Sequence, residues 1–176
     1  MPVLGDTLYE ADETFGVNLT TTGLANLLDP AAVGLIVNDD APPSLAIADV
    51  QITEGNAGMS EAQFIVSISE ASGLPAQVDF STSNGTAIAG EDYTTASGQL
   101  IFPAMSTASQ TAVVLIHGDL DFEPDETFSV QLADPVDATV ADGLAVGTIL
   151  NDDGNFMITT GPAAGGASLV RRYQGD

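Results

Sequence analysis

Seven short runs of period-two alternation in residues 44–150, turn signals between them and no sustained 3.6-residue periodicity predict an all-β chain. Seven strands in one module of this size give an immunoglobulin-like seven-stranded sandwich of two antiparallel sheets. Labelled A to G, the first run is 44–53, "SLAIADVQIT", and the second is 61–69, where Phe64, Val66 and Ile68 share one face. Run C, 75–83, ends against Asn84 and Gly85, a turn dipeptide. Runs D (98–102, "GQLIF") and E (109–117, "SQTAVVLIH") are separated by Pro103 and small polar residues. Run F, 127–132, puts Phe128, Val130 and Leu132 on one face, and run G is 144–150, "LAVGTIL".

A chain of 176 residues with 44% hydrophobic content can pack a core despite a net charge of −23. Residues 1–170 contain no Lys or Arg, and 24 of the 25 acids lie before residue 154. Carboxylates in such a fold are solvated, protonated, or met by cations from outside. The balance argues against nucleic acid, whose phosphates need Lys and Arg. It also argues against an anionic membrane surface, and no run approaches the roughly 20 apolar residues of a spanning helix. With no cysteine, disulfides, thiolate metal sites and cysteine nucleophiles are excluded. "MPVLGD" carries no export signal.

Residues 5–40 fall without gaps on residues 118–153 at a constant offset of 113, with 18 of 36 positions identical. One complete module therefore occupies 41–153, and 1–40 is the closing portion of a preceding copy. Residues 154–176 match neither copy and are expected to open a further module or form a flexible tail. The chain reads as a piece of a longer tandem array, with any export signal upstream. Residues 1–40 supply at most two strands of a sandwich, so a hairpin packed on the module or on another chain, or partial disorder, is expected there.

If strands alternate in direction, the ends of A, C, E and G emerge at one pole. Ten of the module's 17 acids land there: Glu54, Glu91, Asp92, Asp119, Asp121, Glu123, Asp125, Glu126, Asp152 and Asp153. At ~5 Å and an effective dielectric of ~20, each carboxylate pair repels by roughly 3 kcal/mol before salt screening. Hard divalent cations relieve this, and Asp/Glu loops with no His/Cys cluster favour calcium, which takes six to eight oxygens. Magnesium suits a multi-carboxylate cage less, because it keeps its waters.

The motifs "VQITEGNAG", "VDFSTSNGTAIAGEDYTTASGQLIF", "GDLDFEPDETFSVQL" and "VGTILNDD" together resemble the Calx-beta domain, the calcium-binding repeat of sodium/calcium exchangers, integrin β4 and many bacterial surface proteins. The resemblance covers 44–153 and implies a seven-strand sandwich with Ca2+ at the distal loops. By position it implies Glu54, Asp92, Asp119, Glu123, Glu126, Asp152 and Asp153 as metal ligands. Asn151 replaces an acid of the closing triplet, though its amide oxygen can still ligate, and Gly118 interrupts the expected run of aspartates. These departures imply one or two ions. In the partial copy Asp6, Glu10, Glu13, Asp39 and Asp40 persist without partners for Glu54 and Asp92, so a site there is expected to be weak or absent.

The plain alternative is solvated surface charge, and Glu54 in "TEGN" is also an acceptable turn residue. His117, the lone histidine, reads as an incidental residue at a strand edge. A glycosidase needs two carboxyls at defined separation and a sugar platform, but Trp is absent and the phenylalanines sit at strand positions. The same lack weakens a sugar-binding role. The expectation is thus a non-catalytic calcium-binding module, extracellular or at the cell surface. Its partners would be calcium ions, neighbouring repeats and cell-surface or matrix ligands, with no nucleic acid and no membrane insertion. The alternative is a regulatory calcium sensor.

Overall fold

The computed structural model describes residues 2–23 and 26–154, so the module or tail expected at 155–176 lies outside the described residues. In chain order the strands are β1 (Glu13–Asn18), β2 (Ala31–Ile36), β3 (Ser44–Ile47), β4 (Val50–Thr53), β5 (Gly58–Ile68) and β6 (Ala76–Asn84). They continue as β7 (Ser97–Phe102), β8 (Gln110–Gly118), β9 (Glu126–Val136), β10 (Thr139–Asp142) and β11 (Leu144–Leu150). No helix occurs among the described residues, and the all-β sandwich is the architecture observed.

Two sheets face each other, one of order β10-β3-β5-β8 and the other of order β4-β11-β9-β6-β7. The module holds nine strands rather than seven, and both additions have a local cause. Run A divides at Ala48 and Asp49: β3 pairs antiparallel with β5, whereas β4 pairs parallel with β11 in the other sheet. The step between sheets leaves few polar groups unsatisfied. Ala48 donates its amide to the Ile65 carbonyl at 3.2 Å, and the Asp49 carboxylate accepts from the Val146 amide at 2.7 Å. Run F continues to Val136 and returns as β10, which pairs parallel with β3. Asp134 and Asp137 adopt left-handed φ values of 49° and 52° around this turn, a conformation Asp tolerates better than most residues.

The core lies between the sheets and runs from Leu45 to Ile149. Phe128 is its hub, stacked on Tyr93 at 4.6 Å and set edge-on to Phe64 at 5.8 Å. Its ring passes over Gly147, where a Cβ would come within 2.4 Å. Among the described residues, every member of this core lies between Leu45 and Ile149.

In the first copy, β1 and β2 form a two-stranded ribbon in which, among the described residues, each pairs only with the other. Phe15 passes over Gly34 at the same 2.4 Å as its counterpart, and the amide of Leu19 donates to Pro30 as Leu132 does to Gly143. The local design is therefore repeated, but among the described residues no second sheet covers it. Val17 and Leu19 are 44% and 57% exposed, against 0% and 5% for Val130 and Leu132. None of the described residues before Ala41 is buried.

Candidate metal centre

Four segments reach one end of the sandwich. Because β4 lies parallel beside β11 with Thr53 opposite Leu150, Glu54 and Asn151 leave the sheet side by side. Glu126 begins β9 opposite Ile149, and residues 119–125 bridge from the end of β8 to it. The fourth segment, between β6 and β7, carries Asp92.

This fourth segment is pinned from both sides. The buried Tyr93 donates its hydroxyl to Asn84 Oδ1 at 2.6 Å and forms a bridge to Ile116. Asp92 Oδ2 accepts the Ile88 amide at 2.6 Å. His117 holds the other side: its amide donates to the Asp92 carbonyl at 2.8 Å, and Nδ1 lies 2.8 Å from the Glu91 carbonyl. A carbonyl only accepts, so Nδ1 carries a proton, and Nε2 lies 2.8 Å from the Thr94 hydroxyl. His117 is thus the residue that fixes the Asp92 loop. In the sequence its one signal is its place at the end of strand E.

Asn151 organises the acidic loop. Its Oδ1 accepts from the amides of Glu123 and Asp153, each at 3.4 Å, while its Nδ2 donates to the Asp153 carbonyl at 3.1 Å. The Asn151 amide donates to Asp125, and the Asp121 amide to Asp119. The first copy repeats four of these bonds at the offset of 113: Glu10 to Asn38, Asn38 to Asp12, Asn38 Nδ2 to Asp40, and Leu8 to Asp6. The loop conformation is therefore encoded within the repeated unit, by the loop together with the Asn that follows its last strand.

Six of the eight expected ligands meet in two groups of three. Glu54, Asp119 and Asp153 form one, and Asp92, Glu123 and Glu126 the other, each with one oxygen per residue within 4.8 Å of the others. The remaining two lie beside these groups. Asn151 spends its amide oxygen on backbone donors, and Asp152 accepts the Gly55 amide at 3.0 Å. Gly118, where the resemblance leads one to expect an aspartate, faces backbone: a Cβ there would lie 2.2 Å from the Gly55 carbonyl oxygen and 2.8 Å from that of Glu54. Close approach of two chain segments at the Glu54 turn forbids any side chain at 118.

Electrostatically the pole is strained by like charge. Glu54 is only 6% exposed, yet its Oε1 has no hydrogen-bond partner, and neither has Asp153 Oδ2. Burial first, then Asp119, Asp153, Glu123 and Asp152, push the Glu54 carboxyl up to about 7 from its ordinary 4.5. Burial, a hydrogen bond with Asp92 and the neighbouring charges raise Glu126 to about 7 as well. Glu123 and Asp153 are also raised, each mainly by burial. Among the described residues no cation answers these groups. A hard dication fits the donor set: all the gathered ligand atoms are carboxylate oxygens, and two of these carboxylates, Glu54 and Asp153, each hold a buried oxygen without a partner.

The Calx-beta domain family model matches residues 1–41 and again 38–154. This chain belongs to the Calx-beta family. Among solved structures, it is 26% identical to the apo-form Calx CBD1 domain, covering 64% of this chain and 100% of that one, with a TM-score of 0.54. It is 28% identical to CBD12 from CALX1.2 (TM-score 0.55) and 27% identical to the calcium binding domain CBD12 of CALX1.1 (TM-score 0.54). These alignments cover 63% and 64% of this chain and only 46% and 49% of those longer chains, about half their length. Comparison with curated proteins gives no match. The Calx-beta assignment accounts for the two-sheet fold and for the repeat, since both copies match the same family.

Proposed function

We propose that this Calx-beta chain is a calcium-binding structural module of an exported, multi-repeat protein. Ions held at the acidic pole draw the loops together and stiffen the junction with the next repeat. Residues 1–40 would then be the closing portion of a preceding repeat and 41–153 a complete one. The observation that carries the reading is the buried, partnerless Glu54 carboxylate facing Asp119 and Asp153 in a chain with no Lys or Arg before residue 171. Leaving such a group unsatisfied costs several kcal/mol unless it is protonated or coordinated. Glu54, Asp119 and Asp153 would hold one ion, and Asp92, Glu123 and Glu126 a second, each completed by backbone carbonyls and water. Calcium would supply the positive charge that residues 1–170 lack, and it takes the oxygen ligands gathered here.

Calorimetric titration of the chain with calcium, with magnesium as control, tests the proposal. Calcium is expected to bind with a dissociation constant of about 10⁻⁴–10⁻³ M, as extracellular modules do, and magnesium to give little heat. Absence of calcium binding at millimolar concentration would refute it. A second function, regulatory sensing, is favoured by the likeness to the two-domain calcium-binding CBD12 structures. Submicromolar affinity would select the sensor over the brace.

A further inference from the structure

Asn151 bonds one member of each acidic group, Glu123 in one and Asp153 in the other. Two backbone N–H donors face one end of its side-chain amide and the Asp153 carbonyl faces the other, which fixes which end is oxygen. Its own N–H donates to Asp125 Oδ1 at 3.2 Å, so the residue that follows β11 is tied to the 119–125 loop through side chain and backbone alike. A carboxylate of the same shape could accept from the two N–H groups. It could not donate to the Asp153 carbonyl, and it would add like charge to a crowded pole.

The first copy supplies the control. Asn38 accepts from the Glu10 amide at 3.2 Å, donates to the Asp40 carbonyl at 3.0 Å and gives its own N–H to Asp12 at 2.9 Å. Among the described residues, however, the acids of that copy gather in no group of three that could hold a metal ion. The loop reaches its shape there without a set of metal ligands, so the asparagine bonds do not follow from coordination of an ion.

We propose that Asn151 is a positioning residue. It holds residues 119–125 in their binding shape before a cation arrives, sets the spacing of the two acidic groups, and is needed there as an amide rather than as a further carboxylate ligand. The inference rests on the calcium reading of this pole for its consequence and on the hydrogen bonds alone for its geometry. A loop ordered in advance loses less conformational freedom when an ion enters, so these bonds raise affinity without touching the ion. Asn151→Asp should therefore weaken calcium binding although it adds a carboxylate to the pole.

The test uses the full 176-residue chain as wild type, Asn151→Asp, Asn151→Ala and Asn38→Ala. Amide hydrogen exchange is read in EDTA, with the Val130 amide of β9, between β11 and β6, reporting an intact core. In Asn151→Ala the Glu123 and Asp153 amides should exchange about tenfold faster than in wild type, the effect of a typical net hydrogen bond. Asn38→Ala should do the same at Glu10. In calcium titrations both Asn151 variants should bind about tenfold more weakly, with no additional ion in Asn151→Asp, while Asn38→Ala gives the wild-type isotherm. Calcium binding by Asn151→Asp as tight as wild type, or uptake of an extra ion, would overturn the proposal by making residue 151 a lost ligand. Glu123 and Asp153 amides that are unprotected in wild type in EDTA would overturn it too, because the loop would then not be set in advance. Should Asn151→Ala lose its Val130 protection, those wild-type amides and Asn38→Ala decide the question. Wild type that takes up no calcium rejects the proposed function, whereas the exchange measurements, made without an ion, still decide whether Asn151 holds the loop.

Discussion

Replacing Glu54 by Gln should stabilise the module without calcium and abolish a share of the stabilisation that calcium gives. Ionising a carboxyl whose midpoint lies at about 7 rather than 4.5 costs the folded state at most about 3 kcal/mol, less where solvent screens the neighbouring carboxylates. At pH 8 in EDTA, Glu54→Gln removes that penalty while keeping the shape of the side chain. At roughly 4 °C per kcal/mol for a domain of this size, the melting temperature should rise by up to about 10 °C. Wild type holding calcium with a dissociation constant of about 10⁻⁴ M should gain roughly 1.8 kcal/mol at 2 mM calcium. The variant should lose the contribution belonging to Glu54, Asp119 and Asp153. Thermal melting of both proteins, with EDTA and with calcium, measures all four states. If Glu54→Gln melts lower than wild type in EDTA, or shows an undiminished calcium shift, the account of Glu54 is wrong.

The raised midpoints of Glu54 and Glu126 set the direction of the pH response. The folded state keeps protons that the unfolded chain has released between about pH 4.5 and 7, so their contribution to stability is full below 4.5 and lost as pH rises through 7. Melting in EDTA should therefore fall from pH 5 to pH 8, while calcium affinity rises over the same window; titration in two buffers of different ionisation enthalpy should show proton release. Gly118→Ala forces a Cβ against the Gly55 and Glu54 carbonyls and should lower stability by about 1–3 kcal/mol, with weakened calcium binding in the same titration. His117→Ala should leave the core intact but free the Asp92 loop, seen as faster exchange of the Asp92 and Thr94 amides and reduced calcium affinity. Phe128→Ala should cost about 3–5 kcal/mol by chemical denaturation, and the equivalent Phe15→Ala almost nothing, because Phe15 packs in a ribbon with no core behind it.

Much of this structure is legible in the sequence because its two governing patterns are simple. Period-two alternation gives the strands, and counting their directions gathers Glu54, Asp92, Asp119, Glu123, Glu126, Asp152 and Asp153 at one pole, where the structure also places them. What escapes is whatever alternation cannot register. The crossing of run A between sheets keeps the pattern "SLAIADVQIT" unbroken, since both halves face the same core. It is made by hydrogen bonds at Ala48 and Asp49 that no periodicity reports. The division of the acids into two groups depends on the path of residues 119–125, to which Asn151 is bonded from 28 positions away. His117 escapes for the same reason, because its partners Glu91 and Thr94 lie 26 and 23 positions away and no periodicity brings them to it.

The parallel pairing of β4 with β11 has a mechanical consequence. In the proposed array, tension would enter this module ahead of β3 at one end and leave after β11 at the other, pulling β4 and β11 in opposite directions along their length. The bonds that join 50–53 to 147–150 then bear load together in shear and cannot be broken singly. A cation linking Glu54 to Asp153, just past the ends of those two strands, would sit where that shear is resisted.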